Sequence, residues 1–466
     1  MDDVGQHVMG TRYVLTEKDD GRIKARFVVK GFQDDTFNQS DSPTASRETL
    51  KVFFTIAANE GWDIEGSDVR SAFLQSEVID RDVYVQPPAE RQKPGMVWKL
   101  NKPAYGLEDA SRKWFQSTES TLLSLGMMQS LSDKCLFYLY KDGCLQGILL
   151  IHVDDFLTSG SDIFKAEVIS KLREKYAFGK ISSTNFVFTG LNIRQNEKNE
   201  IFVNQADFVK KLEVHEFKRQ DPETILKKDE NRLVRQIQGQ LSWAATQTRP
   251  DLAYDALQLS TVLNKASYKD AKNANKVALK AKHENVELKF SKLGNIEDLH
   301  IELFADASLG NMEKDMETKS VMGYFICLAN KDLKMSPLHW KSKVIDKVAE
   351  DIKTAETLAL ETAIDDAIHL SNMLMELYSG KQQHGSIPIV VNEDSLSLVE
   401  SLYSTKKVKR KTMRVVVSSI QQRMKKNIIS EINHVKSEDN IADVFTKKGV
   451  STNRIMTAIE KGSLFH

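Results

Sequence analysis

LQGILLIHVDDFLTSG, residues 145–160, decides how the first half of the chain folds. The apolar run Leu145 to Ile151 has the length of a buried strand, and β character resumes at Phe156 to Thr158. Asp154 and Asp155 therefore sit between two strands. Adjacent carboxylates repel each other unless a cation lies between them. A hairpin tip can present both to a divalent metal that prefers oxygen ligands, such as Mg²⁺. Taken alone, an Asp-Asp pair is more often a solvated turn. Asp68 changes that balance, because it also follows a strand, in EGWDIEGSDVRSAFL (60–74), and precedes a compact turn. Three carboxylates on two neighbouring strand ends can hold the two ions of an in-line phosphoryl transfer.

Outward from this stretch, TRYVLTE (11–17) and RIKARFVVKG (22–31) read as strands joined at Asp20-Gly21, a strong short-hairpin signal. Leu50, Phe53, Phe54 and Ala57 recur at helical spacing between Glu48 and Glu60. A further helix begins near Ser111 and continues through Thr118–Leu125. Ser161 or Asp162 can cap a helix carrying Phe164, Val168, Ile169 and Leu172 on one face. The polar stretch 217–231 reads as a linker or exposed loop, and 233–292 as mostly helical with a break at Arg249-Pro250. Beyond His300 the pattern predicts strands at Ile301–Ala305, Gly323–Ala329 and His339–Lys343. A long helix Thr354–Tyr378, a strand Ile387–Val391 and short helices complete the chain.

The 466 residues are enough for about three domains. Lys and Arg number 65 and so do Asp and Glu, so net charge neither indicates nor excludes a nucleic-acid partner. Three scattered cysteines are too few for a disulfide framework or a thiolate metal site. No apolar run approaches the ~20 residues of a membrane span, and no signal-peptide core opens the chain. These features predict a soluble intracellular protein.

IKARFVVKGF, SDVRSAFLQ, VYVQPP, VWKLNKPAYGLEDASRKWF and LLIHVDDFLTSGSD occur in one order within residues 23–162. Together they resemble the reverse transcriptases of copia-type retrotransposons. The resemblance implies a right-hand polymerase of fingers, palm and thumb, with Asp68, Asp154 and Asp155 as catalytic metal-binding aspartates using Mg²⁺ or Mn²⁺. His152 stands where many relatives have tyrosine. Lys24 and Arg26 resemble fingers residues that meet the incoming deoxynucleoside triphosphate, and an alternating strand puts both on one face. Phe73 matches the bulky residue that crowds the sugar 2′ position, and Gln86 is placed near the nucleotide pocket. Tyr105, Gly106, Ser111 and Arg112 resemble the block that contacts an RNA or DNA template with its primer. Without these neighbours, Lys24 and Arg26 read as a solvated strand face and Phe73 as core.

A second carboxylate set lies beyond residue 300. Asp306 ends the alternating strand LHIELFAD, with His300, Glu302 and Phe304 on its face. Glu356 heads a helical stripe of Leu360, Ala363, Ala367, Leu370 and Leu374. That position points a carboxylate inward, which is costly unless it is paired. The alternative is an ordinary first-turn glutamate favoured by the helix dipole. Asp443 lies in a short helix that Asp439 or Asn440 can cap and Gly449 can end. With LFADASLG, LHWKSK, TAETLALETA and NIADVFTKKG, this set resembles the ribonuclease H domain that follows reverse transcriptase in the same elements. The resemblance makes Asp306, Glu356 and Asp443 catalytic metal ligands acting on an RNA–DNA hybrid. The best alignment puts Asn392 where the family has an aspartate. Glu393 or Asp394 can substitute after a shift of one or two residues, and Asp394 also reads as an N-cap. An amide at that place predicts weak or absent nuclease activity. VIDKVAEDIK (344–353) carries acids where the family is basic, which should weaken hybrid binding.

The expected order is fingers and palm over 1–200, with the usual start of the fingers trimmed. A mostly helical thumb or connection-like piece follows over 201–295, then a ribonuclease H-like α/β domain over 296–466. The whole is a multi-domain α/β and α+β protein. There is no Asp-Ser/Thr-Gly protease motif and no paired His/Cys zinc spacing of an integrase. KKVKRKTMR (406–414) is either a solvated basic face, a phosphate contact or a nuclear localisation signal. The Lys-rich helix 272–292 has the same ambiguity, and the resemblance places it near the template–primer duplex. The family's setting is the cytoplasm, in a virus-like particle. The rival reading is a decayed or co-opted relic that binds nucleic acid without catalysis. Asn392 favours the relic, and the intact Asp68, Asp154 and Asp155 favour the enzyme.

Overall fold

The computed structural model describes residues 7–17, 21–36, 39–218, 221–310, 319–380, 387–406 and 410–464. Asp20 of the expected hairpin tip and residues 407–409 of the basic run lie outside the described residues. The chain divides into two compact units that are interleaved in sequence. One comprises Met1–Ala45, Glu65–Asp142 and Gln146–Ser182; the other comprises Ser46–Ile64, Gly143–Leu145 and Ser183–His466. This division differs from cuts at 200 and 295, because the helix Arg47–Glu60 belongs with the second unit. Among the described residues, no helix is long and apolar enough to cross a membrane.

The first unit is built on a six-stranded sheet. Its spatial order is Phe178–Ser183, Ile64–Val69, Asp155–Gly160, Cys144–His152, Leu136–Lys141 and Met128–Gln129. The central strands carry fully buried Ile148, Leu149, Leu150 and Leu157, as a near-continuous apolar run requires. The helix Ala110–Ser124 buries Trp114, whose ring stacks on Phe156 of the sheet. Thr11–Glu17 and Ile23–Val29 pair antiparallel as expected, with Gly21 at φ 76° just past the tip. Ser161, rather than Asp162, caps the helix that follows the central hairpin.

In the second unit a five-stranded sheet runs in the order Met335–Val344, Val321–Ala329, His300–Ser308, Ile389–Glu393, Ile429–His434. The first three strands form an antiparallel meander and the last two join in parallel. The helix Ile352–Ser379 starts at Asp351, whose side chain accepts from Thr354 N, and ends at Gly380 in the left-handed conformation. Its predicted stripe is buried throughout, from Leu360 to Leu374.

Three expectations need correction. The polar stretch 217–231 is not all linker: a helix begins at Lys228, because Glu230 caps it and also accepts from Tyr268. The region read as mostly helical ends in a short strand, Leu288–Phe290. That strand completes a four-stranded antiparallel sheet with Asn185–Phe188, Leu191–Gln195 and Ile201–Asn204. The chain's end also contains the edge strand Ile429–His434, where short helices were expected. Its outward Ser430 and Glu431 break the apolar signal.

At the break between helices, Arg249 is 2% exposed and makes a two-pronged ion pair with fully buried Asp251. Its remaining guanidinium nitrogen donates to Ala281 O and Glu284 O, closing the end of the helix Tyr268–His283. Removing one partner of such a pair strands the other charge. Arg249→Met is therefore expected to cost about 3–5 kcal/mol, read as a lower urea midpoint. Asp251→Asn combined with Arg249→Met should recover much of that loss.

Candidate active sites

In the first unit Asp155 pairs with His152 across the hairpin, so Val153 and Asp154 form a two-residue turn. Val153 holds φ 56°, a conformation that costs a β-branched residue about 1–3 kcal/mol. The surroundings impose it. Trp114 Nε1 donates to Val153 O at 2.7 Å, and Val69 N donates to Asp154 O at 2.9 Å. The second bond ties the turn to the strand that carries Asp68. Tyr105 Oη donates to Asp154 Oδ2 at 3.3 Å, while its ring lies 4.6 Å from that of buried Phe73.

The charges bear out this crowding. Burial, with the negative charges of Asp154 and Asp68 added, pushes the Asp155 carboxyl up to about 6. Lys24 offsets part of that effect, so it reaches the site. Burial and Asp154 also raise the Tyr105 hydroxyl to about 12, and nearby Arg26 opposes the rise. Burial depresses His152, against the pull of Asp154. Thus Lys24, Arg26, Phe73 and Tyr105 gather around Asp68, Asp154 and Asp155.

Gln86 is held by its backbone between Met9 and Thr11. Ser111 and Arg112, at the start of their helix, are joined to Ser42 and Asp41. Gly106, at φ 93°, passes so close to Val29 O that a Cβ would collide with it. That close approach docks the basic hairpin strand on the Tyr105 segment. Sequence reasoning missed Gly179: a Cβ there would lie 2.5 Å from Asp68 Oδ2. An FGK triplet in an otherwise ordinary strand carries no signal of that approach. Trp114 does more than pack, because its indole N–H fixes the turn.

In the second unit, oxygens of Asp306, Asp394 and Asp443 lie within 4.8 Å of one another. Among the described residues this is the only such acidic trio; the first unit's carboxylates perturb one another but do not close this tightly. Asn440 caps the short helix Ile441–Phe445 through Ala442 N and donates to Ala305 O at 2.8 Å, which docks Asp443 beside the strand of Asp306. Asp306 accepts from Thr446 Oγ1. Lys447 Nζ lies 2.7 Å from Asp443 and 3.4 Å from Asp306. Burial still raises Asp306 to about 7, against the opposing charge of Lys447.

The assignment of Asn392 to the fourth acidic place is corrected here. Its amide donates to buried Glu302 at 2.5 Å, and Glu302 also meets His300 at 2.9 Å. Phe304 pairs with Asn392 in parallel register, so two steps further on Asp394 comes level with Asp306. Asp394 does not cap the helix after it, whose N-cap is Ser395. Glu356 faces the same cluster: burial raises its pKa and Asp394 adds to the rise. Its Oε2 is buried without a partner, as is Oε2 of fully buried Glu393. Orphaned carboxylate oxygens beside a trio of acids fit a hard divalent cation.

Residues 3–226 match the family described as reverse transcriptase (RNA-dependent DNA polymerase). The chain is 26% identical over 394 residues to the retrovirus-related Pol polyprotein from transposon RE1 of Arabidopsis thaliana, covering 79% of this chain and 26% of that protein. With the Pol polyprotein from transposon TNT 1-94 of Nicotiana tabacum, it shares 24% identity over 478 residues, 95% of this chain and 35% of the relative. The chain thus spans about a quarter to a third of these relatives' length. A solved LC11-RNase H1 in complex with RNA/DNA hybrid matches 31% of this chain and 93% of its own, at 20% identity and TM-score 0.24, a likeness that carries no role over. The similarity thus extends over both units, to the reverse transcriptase family in residues 3–226 and to the Pol polyproteins of these transposons over most of the chain.

Proposed function

We propose that the first unit is an RNA- or DNA-directed DNA polymerase and that the second cleaves the RNA strand of an RNA–DNA hybrid. The observation that carries the first half is the convergence of Asp68, Asp154 and Asp155 beside Lys24. The raised pKa of Asp155 reflects burial first and then the like charge of Asp154 and Asp68, for which Lys24 is only a partial counterweight. Oxygen donors in that state fit Mg²⁺ or Mn²⁺. Asp68, Asp154 and Asp155 would hold such an ion, which would supply Lewis-acid stabilisation of the primer 3′-hydroxyl and of the leaving pyrophosphate.

The chain's own groups do the rest. Lys24 and Arg26 hold the triphosphate of the incoming deoxynucleotide through charge-assisted bonds. Phe73, fixed against Tyr105, closes the space a 2′-hydroxyl would need. Tyr105 positions Asp154, and Gly179 leaves room for Asp68. In the second unit Asp306, Asp394 and Asp443, with Glu356 beside them, would hold a divalent ion and orient the scissile phosphate. Glu302 engages Asn392 outside that set. The amide therefore does not impair the nuclease, and the catalytic reading is favoured over a non-catalytic relic.

Asp154→Asn should reduce metal-dependent primer extension by about 10²–10³-fold while duplex binding persists. Gly179→Ala should act in the same direction through displaced Asp68. Extension at the wild-type rate by both variants would remove the assignment.

Phe73→Val should raise ribonucleotide use relative to deoxynucleotide by about 10–200-fold, the range of one pocket-filling group. An unchanged ratio in an active variant argues that Phe73 is only core.

For the nuclease, wild-type protein should release labelled RNA fragments from a hybrid, and Asp394→Asn should lower that rate by about 10²-fold. Asn392→Asp should give no gain, since it sets a carboxylate against buried Glu302. A rise in cleavage on Asn392→Asp restores the sequence alignment and sinks this one.

A further inference from the structure

The chain passes from the second unit into the first between Ile64 and Glu65, within the strand Ile64–Val69 that carries Asp68. Just before that passage its backbone is held by one side chain. Gln195, the last residue of the strand Leu191–Gln195, is only 8% exposed. Its Nε2 donates to Trp62 O at 2.8 Å and its Oε1 accepts from Ile64 N at 2.9 Å. We propose that Gln195 is a positioning residue for polymerisation: by fixing residues 62–64 it sets where the strand of Asp68 begins. The proposal rests on the polymerase reading above and adds to it a residue that lies outside the carboxylate site.

The pair of bonds requires a primary amide. An ionised glutamate has no donor for Trp62 O, and methionine has neither a donor nor a strong acceptor. In an extended chain the C=O of residue 62 and the N–H of residue 64 point to the same side. The Gln195 amide therefore stands where the peptide group of a neighbouring strand would bond. Gln195 is itself fixed, since its backbone N donates to Thr184 O at 2.7 Å and it pairs with Ile201 in the four-stranded sheet.

The residues leading up to this grip are held as firmly. Gly61, at φ 69°, ends the helix Arg47–Glu60, and its carbonyl accepts from Asn199 Nδ2 at 2.7 Å. Buried Asn59 accepts from Leu293 N and Gly294 N and donates to Gly294 O. Glu60 accepts from Tyr378 Oη at 2.8 Å. Gln195 is the last of these groups before the strand enters the first unit. At the strand's other end Val69 N donates to Asp154 O. Asp68, between the two, has little clearance, because a Cβ on Gly179 would lie 2.5 Å from its Oδ2. A strand advances about 3.3 Å per residue, so a slide of a fraction of one residue at Ile64 consumes that clearance.

The test uses the full chain, hydrogen–deuterium exchange read at the Ile64 and Val69 amides, thermal melts and primer extension in Mg²⁺. Both amides should be protected in the wild type. Gln195→Met keeps the side-chain length and loses both bonds. It should expose the Ile64 amide and lower kcat by about 10–10²-fold, with KM for the deoxynucleotide unchanged. Gln195→Glu should show the same loss at about pH 8 and recover, relative to wild type, at about pH 6, where a protonated buried carboxyl again donates to Trp62 O. A wild-type Ile64 amide that exchanges freely overturns the role, and so does wild-type kcat in Gln195→Met. A loss that tracks a lowered melting temperature in both variants, with no recovery at the lower pH, makes Gln195 merely structural and also overturns it. If the wild type protects Ile64 yet extends no primer, the polymerase reading itself fails and takes this role with it, an outcome distinct from the others.

Discussion

Crowding carboxylates at the ends of strands is the constraint around which both units are organised. Asp155 and Asp306 each lose solvation and gain like-charged neighbours, and both effects favour the protonated form. The pKa of Asp155 rises to about 6 and that of Asp306 to about 7, so neither arrangement is comfortable by itself. The fold keeps them there because the backbone is fixed from several sides. Trp114 clamps the turn at Val153, the strand of Asp68 bonds Asp154 O, and Asn440 docks the helix of Asp443. The apolar sheets beneath these ends supply stabilisation that the acids do not.

The two sites differ in how they offset the repulsion. In the first unit the nearby cations, exposed Lys24 and half-buried Arg26, stand on a hairpin strand. An exposed lysine retains its side-chain freedom, whereas Arg26 donates to Thr16 across the hairpin. In the second unit Lys447 follows Asp443 by four residues and bonds it directly. Such a cation is built into the site. It lowers the cost of assembling the acids.

Much of this was legible in the sequence because the decisive elements are locally consistent. The apolar strand before Asp154, the stripe from Leu360 to Leu374 and the hairpin strands of Lys24 and Arg26 all carry their periodicity on their face. What escaped depends on approach between distant segments. Gly179 matters only because Asp68, more than a hundred residues earlier, lies against it. Trp114 looks like any packing aromatic until its N–H finds Val153. The edge strand Ile429–His434 has too weak an alternation to stand out, and it forms because Ile389–Glu393 offers it a partner.

Asn392 shows how strand periodicity can mislead an alignment. Side chains two residues apart point to the same face of a strand, so a shift of two preserves the pattern and moves a group one step along the axis. The parallel pairing of Phe304 with Asn392 fixes which step is correct. Continued to the strand ends, it sets Asp394 level with Asp306 and leaves Asn392 level with a phenylalanine. An aspartate at 392 would meet Glu302 in the interior, where two carboxylates without a cation are costly. An amide there can donate, and Glu302 accepts. The neutral residue is thus what the buried position demands, and the acid belongs where the strand opens onto the carboxylate cluster.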